Sequence, residues 1–333
     1  MRKVSKREER FLNELWELRY LSSSQIQQLW YPGRSIENCR VRLSRLAKDG
    51  FIQRQPLYDD LFRFAWCLGS KGYAHLRRRF GGEYKAYDVL SPLYIPHLIE
   101  TNDLYVTLRG NNDGIWEDLP FLWRGSHRSI LRYCTRLDGG LSRIRDREVR
   151  PDAIVEPQGA SLCVFMELDR CTESLVSGTG RRSIEGKLDA YAQYLNGRTY
   201  SGATWFEKQY GPERKARIVF VVPGRGKSTE RIDNIRAMAH AHSVSKVASL
   251  VCLSSTEQGA IRKACGLPEE TQATQTSVTS DLALWRKLYE VSAQAYRRLS
   301  PESPIRPKFL HIVQQTEARL MVLETACEGG IVS

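Results

Sequence analysis

Arg150-Pro151-Asp152-Ala153-Ile154 and, after a short gap, Val164-Phe165-Met166-Glu167-Leu168-Asp169 set three carboxylates at the exits of two apolar strands. A buried carboxylate is costly unless it is paired, hydrogen-bonded or ligating a cation. Side chains alternate along a strand, so Glu167 and Asp169 share a face, and a neighbouring strand ending in Asp152 brings the three groups together. Hard divalent ions such as Mg²⁺ are held by such oxygen clusters. The simpler alternative is that Asp152 and Asp169 mark strand ends and turns, as Asp often does.

Around this stretch, apolar runs of strand length alternate with helical periodicity. Strands are expected at 149–155, 161–168, 217–223 and 249–254, and helices at 183–195 and 229–242, the first opening on Ser183-Ile184-Glu185 in a near-capping arrangement. Strands alternating with helices indicate an α/β sheet. Upstream, a mostly apolar helix is expected from Leu93 to about Arg109, carrying His97, Glu100, Asn102 and Asp103. His97 there reads as a packing histidine rather than a catalytic one. Between these elements Arg124, Arg128, Arg132, Arg136, Arg143, Arg145, Arg147 and Arg150 crowd one segment, read either as a solvated charged surface or as a phosphate-facing edge. Downstream, 267–278 is polar and Thr-rich, a helix is expected at 281–299, and Pro301, Pro304 and Pro307 precede a last helical segment near 309–326. Leu282, Leu284, Trp285, Leu288 and Tyr289 suit core packing or a homodimer contact equally.

The N-terminal part has a different grammar. Phe11, Leu12, Leu15, Trp16 and Leu18 recur at helical spacing, and a short second helix through Leu29 and Trp30 stops at Tyr31-Pro32-Gly33. A third helix starts after Ser35, with Cys39, Val41, Leu43 and Leu46 as its apolar stripe while Arg34, Asn38, Arg40, Arg42, Arg45 and Lys48 line its other faces. Two β-rich runs around Arg54 and Arg63, separated by 56–60, read as a hairpin. Three helices and a hairpin with a cationic third helix are the parts of a winged helix-turn-helix, whose third helix enters the DNA major groove. Arg34, Ser35, Asn38, Arg40, Arg42, Arg45, Lys48, Arg54 and Arg63 are the candidate DNA contacts, since Arg and Asn read guanine and adenine edges. Protein binding by the same unit is the alternative.

Composition agrees. The chain has 333 residues, 41% hydrophobic and 26% charged, with a formal charge of +12. That is globular rather than disordered, and long enough for two domains. Residues 1–90 hold 18 Lys/Arg against 10 Asp/Glu, a balance of +8. Most of the excess positive charge thus lies in about a quarter of the chain, which favours double-stranded DNA as partner. No apolar run approaches membrane-span length, and the basic start lacks the apolar core of a signal peptide. A cytoplasmic, nucleoid-associated protein is expected, with no membrane contact. The eight cysteines show no Cys-x-x-Cys or Cys/His pairing, which argues against zinc and a disulfide framework. The expected organisation is 1–82 winged helix, 83–92 linker, 93–260 α/β domain and 261–333 helical extension.

The order helix, strand, strand with Pro-Asp, strand with Glu-x-Asp, helix, strand resembles the core of the PD-(D/E)xK nuclease superfamily across roughly 93–255. The resemblance implies a restriction-endonuclease-like α/β core in which Asp152 and Glu167 bind Mg²⁺ or Mn²⁺, with Glu100 as a first-helix acid. Asp169 stands where that superfamily carries its strand lysine. Either the nuclease activity is lost or another cation substitutes, and Lys187, four residues before Tyr191 on the following helix, occupies the place of the Gln-x-x-x-Tyr found in some members. The candidate catalytic set is then Asp152, Glu167, Asp169 and Lys187, and the metal set Asp152, Glu167, Asp169 and Glu100. The whole chain is similar to the replication-relaxation family of bacterial plasmids and integrative elements, on Leu43-Ser44-Arg45-Leu46-Ala47-Lys48-Asp49-Gly50-Phe51-Ile52, Lys71-Gly72, Pro96-His97 to Asn102-Asp103, Arg150-Pro151-Asp152-Ala153 and Glu167-Leu168-Asp169-Arg170. That resemblance implies a role in replication, relaxation or transfer of a mobile element, with a winged-helix reader fused to a nuclease-like domain, and the missing strand lysine favours a DNA-binding protein whose nuclease-like domain is non-catalytic. A metal-dependent nickase and a scaffold for other DNA-processing proteins are the competing expectations.

Overall fold

The computed structural model describes residues 4–57, 60–81, 84, 86, 90–110, 119–136, 144–171, 174–176, 183–223 and 228–268, with single helical positions between 286 and 317; at 60–63, 136 and 144 it describes the backbone alone. The chain divides into two compact units, Met1–Leu267 and Pro268–Ser333. In the second unit Arg286, Tyr289, Glu290, Ala293, Gln294 and Tyr296 are helical, as are Leu310, Val313, Gln314 and Glu317. Leu282, Leu284, Trp285 and Leu288 lie outside the described residues. Among the described residues no helix is long and apolar enough to cross a membrane.

The first unit opens with α1 (Lys6–Leu18), β1 (Leu21–Ser22), α2 (Ser23–Trp30) and α3 (Ile36–Lys48). Their starts are written in the sequence. Ser5 with Glu8 and Ser22 with Gln25 form capping boxes, and the Ser35 hydroxyl accepts the Asn38 amide. Helix α3 closes by two reversed bonds, Phe51 N–H to Leu46 O and Gly50 N–H to Ala47 O, with Gly50 at φ +82°. Glycine tolerates that left-handed conformation without a Cβ penalty. The hairpin β2 (Ile52–Leu57) and β3 (Asp60–Leu68) follows, and β3 also pairs antiparallel with β1, giving a three-stranded sheet. Helix α4 (Ser70–Phe80) then folds back over the start of β2. Gly72 is required there, because a Cβ at this position would stand 2.3 Å from the Phe51 carbonyl oxygen.

Helix α5 (Ile95–Arg109) leads into β4 (Phe121–Gly125), the two-stranded hairpin β5 (Leu131–Arg136) and β6 (Ile144–Val149), then β7 (Ala153–Pro157) and β8 (Leu162–Leu168). Next come α6 (Ile184–Asn196), α7 (Trp205–Tyr210), β9 (Lys215–Val221), α8 (Ser228–Ala241), β10 (Ser249–Leu253) and α9 (Gln258–Ala264). The larger sheet has the order β10-β9-β8-β7-β4, with β7 antiparallel to both β4 and β8, and β8, β9 and β10 parallel. The protein is therefore of mixed α/β class. Alternate residues of β8 face opposite layers: Cys163 and Phe165 pack toward α6 and α8, whereas Val164, Met166 and Leu168 pack toward α5 and α9.

The sequence reading of one strand over 149–155 is corrected. Val149 ends β6, and Ala153 begins β7. Pro151 lacks an N–H for a ladder bond and breaks the run. Asp152 thus precedes a strand rather than ending one, and antiparallel pairing of Ala153 with Met166 sets it beside the exit of β8.

The N-terminal helices and α5 share one hydrophobic core, Phe11, Leu15 and Leu18 with Leu104, Tyr105 and Leu108. Polar bonds fix the orientation. The buried Asn102 amide donates to Leu18 O at 2.9 Å and Tyr20 O at 2.8 Å, and Gln25 Nε2 donates to Ile99 O and Asp103 Oδ1. Tyr105 and Arg109 both donate to the buried carboxylate of Glu14. Asn102→Ala removes the side-chain donor from both carbonyls, leaving Leu18 O with the Tyr20 N–H at 2.8 Å, and is expected to cost about 2 kcal/mol. A urea midpoint equal to that of the unsubstituted protein would contradict this role.

Candidate functional site

Two sets of polar side chains stand out. The first is the exposed face of α3. Cys39, Leu43 and Leu46 turn inward, Val41, expected in the same stripe, is instead exposed because it falls on the flank beside Arg40, and Arg34, Asn38, Arg40, Arg42, Arg45 and Lys48 are exposed. At about 100° per residue Asn38, Arg42 and Arg45 share one side and Arg40 takes the opposite flank. Ser35 is spent as the helix cap. The Arg42 guanidinium lies 5.4 Å from the Tyr31 ring centroid and Arg7 reaches the same ring at 5.2 Å. Arg7, Tyr31, Arg42, Arg45 and Lys48 line a cavity of about 440 Å³. On the hairpin, Arg54 is exposed and covers the Phe64 ring at 5.2 Å. The side chain of Arg63 lies outside the described residues.

The second set lies where β7 begins and β8 ends. Asp152 and Glu167 are both buried, with 6% and 1% of their surface exposed. Asp152 Oδ2 accepts the Leu168 amide at 2.8 Å, and its Oδ1 meets His97 Nε2 at 2.9 Å. Glu167 Oε1 accepts the Tyr191 hydroxyl at 2.7 Å, and its Oε2 lies 3.0 Å from Lys187 Nζ. Two carboxylates, an ammonium, a phenol and an imidazole thus form one network, because α5 supplies His97 and α6 presents Lys187 and Tyr191 one turn apart.

Burial shapes its protonation. Desolvation drives the Glu167 carboxyl up, the Lys187 charge opposes this, and the neighbouring Asp152 charge adds to the rise. Desolvation pushes Asp152 the same way, but the His97 hydrogen bond and charge outweigh it and its pKa falls below the ordinary aspartate value. Burial lowers His97, yet the same bond to Asp152 leaves its pKa raised overall. The Tyr191 hydroxyl, desolvated beside Glu167, is held well above the usual phenol range.

The other sequence candidates are elsewhere engaged. Arg231 on α8 grips Asp169 with Nε at 2.6 Å and Nη2 at 3.0 Å, while Asp169 Oδ1 accepts the Cys171 amide at 2.9 Å. Asp169 is a strand-end turn residue. Glu100 pairs with Arg170 Nε at 3.0 Å, so Arg170 is also committed. Among the described residues no three His, Cys, Asp or Glu side chains are grouped to hold a metal. The expected cluster of Asp152, Glu167, Asp169 and Glu100 is therefore not assembled. Each is drawn to its own cation or amide, the cheaper way to bury a charge here. Asp152 and Glu167 remain as a pair of carboxylates, the minimum that suits a hydrated Mg²⁺. His97, expected to be packing, is instead part of this network. No sequence signal pointed to Arg231, since α8 is remote in sequence.

If Asp169 is structural, Arg231→Ala should lower the unfolding free energy by about 3 kcal/mol, the cost of leaving a buried carboxylate unpaired. Removing both charges in Asp169→Ala/Arg231→Ala should recover part of that loss in chemical denaturation. A single variant as stable as the parent would make Asp169 available for other work.

A family model described as Replication-relaxation matches residues 12–206, more than half the chain, running from α1 through α6 to the first residues of α7. No curated protein matches the chain, and no solved structure does. The span takes in the α3 face, His97, Asp152, Glu167, Lys187 and Tyr191, and the chain belongs to the replication-relaxation family.

Proposed function

We propose that this protein binds double-stranded DNA in the replication or relaxation of a plasmid or other mobile element. The carrying observation is the exposed row Arg34, Asn38, Arg42, Arg45 and Lys48 on α3, for which no acidic partner is found among the described residues. Helices α1–α3 followed by the β2–β3 hairpin have the order of a winged helix-turn-helix, with α3 as the helix for the major groove and Arg54 on the wing. Family membership supports the same reading. Phosphate contacts release counterions, so affinity falls steeply with salt. Fluorescence anisotropy with labelled duplex should show that loss, and Arg42→Ala/Arg45→Ala should weaken binding and reduce the log–log salt slope by about two. A salt-independent signal, or an unchanged slope, would reject the DNA reading.

A second reading is metal-dependent DNA cleavage, favoured by Lys187 Nζ standing 3.0 Å from Glu167 Oε2. The sequence α5, β4, β7, β8, α6, β9, with three antiparallel strands and one parallel partner, follows the nuclease-like order, and Lys187 supplies from the helix the ammonium that Asp169 displaces from the strand. Asp152 and Glu167 would hold Mg²⁺ or Mn²⁺, which stabilises charge on a phosphate under attack. Lys187 would orient water and Tyr191 would fix Glu167. Against this, every carboxylate of the network already has an internal cation or hydrogen-bond donor, so a DNA-binding role without cleavage is the primary reading. Supercoiled plasmid incubated with Mg²⁺ or Mn²⁺ separates the two. It should stay supercoiled; nicking that vanishes in both Asp152→Ala and Glu167→Ala would establish the second reading.

A further inference from the structure

The arginine-rich segment is only partly absorbed by the fold. Arg124 pairs with Glu156, Arg128 with Glu17 and Arg150 with Glu148. Arg132, Arg145 and Arg147 are exposed on the β5–β6 hairpin, with no ion-pair partner among the described residues. Register sets Arg145 opposite Thr135 and Arg147 opposite Tyr133. Directly opposed residues on antiparallel strands share a face, so both cations border the side packed on α6.

That side opens onto a cavity of about 940 Å³ lined by Thr135, Gln193, Arg198, Tyr200 and Trp205, among others. Tyr200 is 84% exposed, an unusual placement for a large ring in a tightly bonded turn. The turn is held by Thr199 N–H to Ala203 O at 2.8 Å, Gly202 N–H to Thr199 O at 3.1 Å and Arg198 Nη1 to Gly202 O at 2.6 Å. Gly202 supplies the positive φ of +86° that closes it. The ring is therefore presented outward by a braced backbone. Trp205 lies at the same cavity, with Lys208 Nζ 5.5 Å from its ring centroid.

Arg198 is the charged side chain in the cavity lining, and the acids around it are each hydrogen-bonded. Glu148 is occupied by Arg150, Asp146 accepts from Cys134, Asp189 accepts from Gln193, and Glu207 caps α7 at Thr204. An exposed ring, a second ring beside it and uncommitted guanidinium groups match one ligand class. Bases stack on aromatic faces regardless of sequence, and phosphates follow cations.

We propose that the cavity between the β5–β6 hairpin and the α6–α7 connection binds single-stranded nucleic acid, with an unpaired base on Tyr200 and neighbouring phosphates on Arg145, Arg147 and Arg198. The inference extends the DNA-binding reading to a second surface, and both readings name a nucleic acid. A protein acting where duplex is opened would then hold duplex at α3 and separated strand here.

The test uses the full chain and two labelled probes in anisotropy titrations: an oligothymidylate of about 12 nucleotides, and a duplex. Tyr200→Ala should weaken oligothymidylate binding about tenfold and leave duplex affinity unchanged. Tyr200→Phe should retain binding, since stacking needs the ring alone. Arg145→Ala/Arg147→Ala should weaken the single strand and steepen no other loss, whereas Arg42→Ala/Arg45→Ala should weaken duplex alone. No oligothymidylate binding by the parent protein, equal binding by Tyr200→Ala, or single-strand loss only in the α3 variant would each overturn the proposal. Duplex binding is read separately, so its absence would count against the α3 reading and not against this one.

Discussion

Helix α5 is the constraint on which both functional regions depend. Burying Asn102, Tyr105 and Arg109 is tolerable only because Leu18 O, Tyr20 O and Glu14 meet them with hydrogen bonds. Those same bonds come from the N-terminal helices, so satisfying α5 means seating α1 and α2 on it in one orientation. Two turns earlier the same helix carries His97 to Asp152. One element thus sets the position of the cationic α3 face and of the buried carboxylate network.

That network is governed by desolvation. Asp152 and Glu167 sit where a strand enters and its antiparallel neighbour leaves, a point close to both α5 and α6. Each acid is compensated by a group from a different helix, His97 on one side, Lys187 and Tyr191 on the other. Asp169, one residue past the strand, obeys the same rule but finds Arg231 instead. The resulting arrangement concentrates proton-bearing groups without gathering three acids.

The parts of this arrangement governed by local rules were legible in the sequence. Helices α1 to α3 follow from apolar spacing, with Ser35 as a cap, and the α3 cations fall on the sides left by burial of Cys39, Leu43 and Leu46, although Val41 was wrongly placed with these. Lys187 and Tyr191 share a helix face by spacing, although their contact with Glu167 needed the structure. What required the tertiary structure was long-range pairing. Nothing near Asp169 announces Arg231, and nothing near Glu100 announces Arg170 as its partner. The shared core of α1 and α5 was equally hidden, because 83–92 has the composition of a linker and composition does not reveal what packs on either side of it. Alternation also misjudged the strand at 149–155, where a single proline outweighs the surrounding β-forming residues.

The central claim is that duplex DNA lies along α3 and the β2–β3 wing. Hydrogen–deuterium exchange of the full chain, with and without a duplex, addresses it directly. Slowed exchange concentrated at 34–48 and 52–57, with the sheet interior unchanged, is the expected result. Protection confined to other parts of the chain, with α3 exchanging as it does without DNA, would contradict it.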